Sequence, residues 1–322
     1  VNADIQLLRQ RFAQQRTTKS PSAPMVYVQD GHSAVVLDSP HSGVSYPADF
    51  APACPIDVLR RAADAHVNRL FGFAPALGVA WVEALFPQSY IDTNRALDEL
   101  NADLFDLPRP GSAPKDIKTF SKVRWSKGLI WRNTDEGVPI YDRKLSVIEV
   151  QARILNYWKP YHAAVEKTIE NAHARHGYSI HVNCHSMPAI AGPYASNFPG
   201  IEHADFVVCN RNETTSSAAL GRAVCMHLKS LGYSVSYNHP CEGVELIRRY
   251  SDPELLRHSI QIQINRKLYM NEQTLEINQG FVRLQLSLLS LVEFLLTIDP
   301  RNNTAKANRL DPKAMPFAEK LV

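Results

Sequence analysis

The sequence predicts an α/β fold, a sheet covered by helices on both faces. Strand-like and helical segments alternate from residue 33 to residue 298. The length of 322 residues is enough for one large α/β unit or two smaller ones. A composition of 45% hydrophobic and 21% charged residues is that of an ordinary soluble globular chain. The expected organisation is an N-terminal helix and linker over 1–24, a single catalytic-type α/β unit over 25–300, and a tail over 301–322.

Residues 3–15 suit a short helix, and TTKSPSAP (17–24) suits a linker. SAVVLDSPHSG (33–43) reads as a buried strand, Ala34 to Leu37, entering a Pro/Gly turn. Residues 55–77 have helical period, which places Asp64 and His66 inside a helix. Residues 79–95 are β-like at both ends, with Asp92, Asn94 and Arg95 closing the second strand. Residues 100–140 are rich in Pro, Asp, Lys and Gly and form a long excursion. Within it, KVRWSKGLIWR (122–132) suits a cover over a site or plain surface packing equally well.

Residues 144–177 form a long amphipathic helix, broken or kinked at Pro160 and capped by Gly177. Strands follow at 178–188, 204–210 and 233–238, with a helix over 216–232. HSIQIQINRKLYM (258–270) alternates: Ile260, Ile262 and Ile264 share one face, and Gln261, Gln263 and Asn265 share the other. Three carboxamides are costly to bury without partners, so that polar face needs a purpose. FVRLQLSLLSLVEFLLTI (281–298) carries Arg283, Gln285 and Glu293 at helical spacing and reads as a core-packed helix rather than a membrane span.

Composition also excludes classes of function. A net charge of +3 without a dense Lys/Arg block argues against nucleic acid. Five widely spaced cysteines without a CxxC pair argue against a disulfide framework or a zinc ribbon and suit a reducing compartment. Residues 1–20 lack the apolar core of a secretory signal, so a cytoplasmic location and no membrane partner are expected.

In α/β sheets ligands bind at the carboxyl ends of strands. His41 follows the first buried strand; His181, Asn183 and His185 share one face of another, with His185 at its end. Two strand-end histidines with a nearby carboxylate could form a catalytic zinc site, which uses three protein ligands and lowers the pKa of water to about 7. With twelve histidines present, surface and core roles compete with that reading. Arg95 is either a surface ion-pair partner or a fork for a substrate carboxylate. A Cys184–His185 nucleophile pair is disfavoured, because neighbours on a strand point to opposite faces.

These stretches together resemble the N-formylglutamate amidohydrolase family. SPHSGVSYP (39–47), ADAHVNRLF (63–71), FPQSYIDTNRALDEL (86–100), NCHSMP (183–188), NHPCEGVELIRRY (238–250) and HSIQIQINRKLYMNE (258–272) are similar, in order, to its motifs. The resemblance implies a three-layer fold akin to zinc carboxypeptidases, with a mixed, mostly parallel sheet. It implies zinc as cofactor and hydrolysis of an N-acyl amide of an acidic amino acid, a small-molecule partner. On this resemblance His41, Asp64 and His185 are the expected metal ligands. Asn94, Arg95, Ser186 and Arg266 are the expected substrate contacts.

The chain departs from the family pattern at charged positions. Gln263 stands where the family carries the Glu expected to act as general base, and an amide cannot take up that proton. Asn183 stands where Asp usually begins the second histidine motif, and Ala63 where an acidic pair is usual. Two expectations follow: a zinc amidohydrolase, or a catalytically impaired relative that binds an acidic N-acyl amino acid or peptide.

Overall fold

The computed structural model describes residues 25–101, 104, 127–134, 136–193 and 199–301. The expected N-terminal helix, its linker and the tail beyond Arg301 lie outside the described residues, as does most of the 100–140 excursion.

Seven strands form one sheet: β1 (Val26–Gln29), β2 (Val35–Ser39), β3 (Ala80–Ala84), β4 (Ser179–Met187), β5 (Phe206–Cys209), β6 (Val235–Tyr237) and β7 (Arg257–Asn265). Their order is β1-β3-β2-β4-β7-β5-β6. The pairs β2/β3, β2/β4, β4/β7 and β5/β6 are parallel, whereas β1/β3 and β5/β7 are antiparallel. The sheet is therefore mixed and mostly parallel, as expected.

The helices are α1 (Ile56–Ala62), α2 (Val67–Leu70), α3 (Val147–Arg153), α4 (Lys159–His176), α5 (Ala218–Ser230), α6 (Glu245–Arg249) and α7 (Gly280–Leu296). One layer joins α2, α5 and α7 to the face carrying Val35, Leu37, Ile180, Val182, Ile260, Ile262 and Ile264. On the other face Val150 of α3 and Tyr161, Val165 and Ile169 of α4 pack with Val36, Ala80 and Val82. Strand alternation assigns the faces. The isoleucines of β7 enter one core, and its carboxamides share the opposite face with Asp38, His181, Asn183 and His185. No helix among the described residues is long and apolar enough to cross a membrane.

Two predicted helices are interrupted. The 55–77 segment breaks after α1: Ala63 is extended, and His66 is left-handed with φ 65°. Asp64 thus lies in a gap between helices, not inside one. The 144–177 helix starts with a capping box, Ser146 with Glu149, and ends at left-handed Gly177 with φ 76°. Between α3 and α4, residues Ile154–Trp158 form a π turn just before Pro160. Proline has no N–H and crowds the carbonyl four residues back, so the wider turn relieves both problems. Residues 89–95 are turns rather than the expected second strand.

Candidate metal and substrate site

A pocket of about 480 Å³ opens at the carboxyl ends of β2, β4 and β7. The expected metal ligands, substrate contacts and base-position residue all line it: His41, Asp64, Asn94, Arg95, His185, Ser186, Gln263 and Arg266. His41 comes from the turn after β2 and His185 from the end of β4. Asp64 comes from the gap between α1 and α2.

The ligand atoms of His41, Asp64 and His185 lie within 4.8 Å of one another, all buried. His185 Nδ1 is 2.9 Å from Asp64 Oδ2, and His41 Nδ1 is 3.6 Å from the same oxygen. The other ring nitrogens are engaged elsewhere. His41 Nε2 donates to Asp92 Oδ1 at 2.8 Å, and His185 Nε2 donates to Asn183 Oδ1 at 2.7 Å. With hydrogen on both Nε2 atoms, neutral rings would turn two bare Nδ1 lone pairs toward that one carboxylate oxygen. Three acceptors facing one another require positive charge between them, and two imidazoles with one carboxylate are a zinc-type donor set.

The electrostatics agree. Burial opposes ionisation of Asp64, yet His185 and His41 outweigh it and hold the carboxyl well below its usual range. Asp92 is likewise held low against burial by His41, Arg95 and the Trp131 indole. Burial alone would lower the pKa of His41, but Asp92 and Asp64 raise it to about 9. Without a cation, the site draws a proton instead.

Ser186 and Arg266 point at Asp64. The Ser186 hydroxyl donates to Asp64 Oδ1 at 3.1 Å and accepts from Arg266 Nε at 3.0 Å. Arg266 Nη2 reaches the same carboxylate oxygen at 3.3 Å and the Ala63 carbonyl at 2.8 Å. Its Nη1 takes the Arg61 carbonyl at 3.0 Å. Both were expected on substrate, but these donors are spent on Asp64 and on the backbone around it.

Asn94 is similarly occupied. Its Oδ1 accepts from Leu246 N at 3.0 Å, and its Nδ2 faces Asn183 Oδ1 at 3.2 Å and Gln261 Oε1 at 3.4 Å. Arg95 differs. Its Nε is 3.6 Å from Asp92 and its Nη1 3.7 Å from Glu99, beyond hydrogen-bond length. Both nitrogens are buried without a hydrogen-bond acceptor. Arg95 thus brings to the pocket wall a guanidinium that is ion-paired with Asp92 and Glu99 but not hydrogen-bonded at Nε or Nη1. Gln263 is half-buried in the same wall, opposite His185 across the β4/β7 pairing.

The sequence left several neighbours without roles. Asp92 orients His41, and its second oxygen accepts from Trp131 Nε1 at 3.0 Å. Lys127 lies 4.5 Å from the Trp131 ring centroid; burial first, and then Arg95, bring its pKa down to about 7. Both belong to the basic, aromatic stretch flagged in the sequence, and its described part forms a wall of the pocket. Asp38, hidden at the end of an apolar run, gave no signal.

Comparison with known proteins follows the same lines. The family model described as N-formylglutamate amidohydrolase matches residues 33–270. An N-formylglutamate deformylase of Pseudomonas aeruginosa is 24% identical over 252 residues, covering 76% of this chain and 84% of that protein. The crystal structure of N-formylglutamate amidohydrolase from Ralstonia eutropha JMP134 is 39% identical with a TM-score of 0.76, covering 87% of this chain and 100% of that one. A gene product of Agrobacterium tumefaciens, 17% identical with a TM-score of 0.58, covers 85% of this chain and 96% of its own and shares the fold.

Proposed function

The chain belongs to the N-formylglutamate amidohydrolase family, and from that premise we propose that it is a zinc-dependent hydrolase of the N-formyl or N-acyl amide of an acidic amino acid. The observation that carries the metal assignment is the convergence of His41 Nδ1, His185 Nδ1 and Asp64 Oδ2 with both Nε2 atoms already engaged. His41, Asp64 and His185 would hold the zinc. Bound there, zinc would polarise the scissile carbonyl and lower the pKa of a water molecule.

The chain's own groups supply orientation. Arg95, on the pocket wall, offers its guanidinium charge to a substrate carboxylate, a pairing that fixes the amide bond over the ligands. Ser186 and Arg266 hold Asp64, and Asp92 holds His41. Gln263 can hydrogen-bond a substrate or a water but cannot accept the proton that a carboxylate would take. The five cysteines are free thiols, which suits the proposed cytoplasmic location.

The test is metal content together with formate release from N-formyl-L-glutamate. Near-stoichiometric zinc and turnover abolished by His185→Ala are expected. A protein that binds no zinc at neutral pH ends the reading. Gln263 opposite His185 favours a second reading, a pocket that binds such a ligand without turnover. Calorimetric binding of N-formyl-L-glutamate without formate release would select it.

A further inference from the structure

We propose that Asp38 is a positioning residue for His185, acting through the Asn183 amide. The inference rests on the metal reading of the pocket. In the parallel pairing of β2 with β4, Asp38 and Asn183 are register partners. Asp38 is fully buried and accepts hydrogen bonds from Tyr161 Oη at 2.7 Å, His181 Nε2 at 2.9 Å and Asn183 Nδ2 at 2.8 Å.

These bonds leave the amide one orientation. A carboxylate only accepts, so Asn183 presents Nδ2 to Asp38 and turns Oδ1 toward His185. Oδ1 only accepts as well, so His185 Nε2 carries a hydrogen; Nδ1, 2.9 Å from Asp64 Oδ2, is the nitrogen left to face a cation and holds a proton for that carboxylate when none is bound. Asn94 Nδ2 lies 3.0 Å from the same Nε2, but its orientation is fixed by Leu246 N, and its hydrogens have Asn183 Oδ1 and Gln261 Oε1 to go to.

The result is a relay: carboxylate, amide, imidazole, ligand atom. His41 has the direct form, with Asp92 on its ring. His185 has the same negative charge one hydrogen bond further back. Hydrogen bonds in series polarise one another, so Asp38 strengthens Asn183 Oδ1 as an acceptor and raises the basicity of Nδ1. An Asp at 183 would instead set two buried carboxylates against each other across 2.8 Å. Asn at this position is therefore what Asp38 requires, not a lost charge.

The experiment measures cobalt(II) and zinc affinity by chelator competition for wild type, Asp38→Asn, Asn183→Ala and the swap Asp38→Asn/Asn183→Asp. Each single change is expected to weaken binding about 10–100-fold, the usual effect of losing a partner behind a ligand. The swap is expected to restore most of it, because the carboxylate then sits directly on His185. A merely structural Asp38 would not give this rescue. Wild-type affinity in a folded Asp38→Asn protein, or a folded swap that binds no better than Asn183→Ala, overturns the proposal. If Asp38→Asn does not fold, Asn183→Ala and the swap decide alone. If the wild type takes up no metal, the zinc reading fails separately. The relay is then judged on ¹⁵N shifts of the His185 ring: a hydrogen on Nε2 supports it, and a bare Nε2 overturns it.

Discussion

Gln263 and His185 face each other as register partners on the parallel strands β7 and β4. The side chain at 263 therefore projects beside a proposed metal ligand, on the face that lines the pocket. Gln263→Glu places a carboxylate there with no change of length. Formate release from N-formyl-L-glutamate is expected to rise about 10²–10⁴-fold, the usual contribution of a general base. An unchanged rate in a folded, metal-loaded variant would show that the proton is taken elsewhere.

Arg95 tests substrate recognition. Its guanidinium lines the pocket and is held by ion pairs to Asp92 and Glu99 without a hydrogen bond at Nε or Nη1, a charge that the proposed reading sets against a substrate carboxylate. Arg95→Met keeps much of the volume and removes the charge. KM is expected to rise about 10–100-fold with kcat little changed, which is the loss of one charge-assisted contact made in both ground and transition states. Steady-state kinetics read this directly, and a drop confined to kcat would contradict it.

The pH dependence of the metal-free protein follows from His41. Its pKa is raised to about 9 against the ordinary 6.5, so its contribution to stability is full below pH 6.5 and is lost as pH climbs through 9. Asp64 and Asp92, both held low, contribute above their unfolded pKa near 3.8 and lose that contribution only in acid. Thermal melts in EDTA should therefore show a lower Tm at pH 9.5 than at pH 6.5, and His41→Gln should flatten this fall. Metal affinity should run the other way, rising over the same interval as the competing proton leaves.

Arg153 probes the loop that carries Asp92. It is fully buried, 4.1 Å from the Tyr90 ring centroid, and its Nη1 donates to the Tyr90 carbonyl and the Tyr141 hydroxyl. Phe50 and Tyr141 complete an aromatic cage around it. Arg153→Ala empties that cage, and urea unfolding is expected to show a loss of about 2–4 kcal/mol.

Nearest-neighbour pattern carried the fold well. The alternation of Ile260, Ile262 and Ile264 with Gln261, Gln263 and Asn265 fixed which face of β7 meets a helix layer. The same rule put His185 at a strand end beside them. What pattern missed depends on partners far along the chain. Asp64 keeps helical spacing with its neighbours, yet Arg266, 202 residues later, takes the Ala63 carbonyl in place of a helical N–H. Asp92 and Arg95 look β-like, but the backbone of Leu129 and the indole of Trp131 hold their segment as turns. Asp38 is invisible within an apolar run because its donors come from two other elements.

The Arg266 clamp has a consequence for the order of synthesis. A nascent chain ending before β7 already contains His41, Asp64 and His185. It lacks the guanidinium that ties the 61–64 backbone to the Asp64 carboxylate. On the proposed metal reading, His41, Asp64 and His185 are therefore held as a set only after β7 has paired with β4 and brought Arg266 to the 61–64 segment.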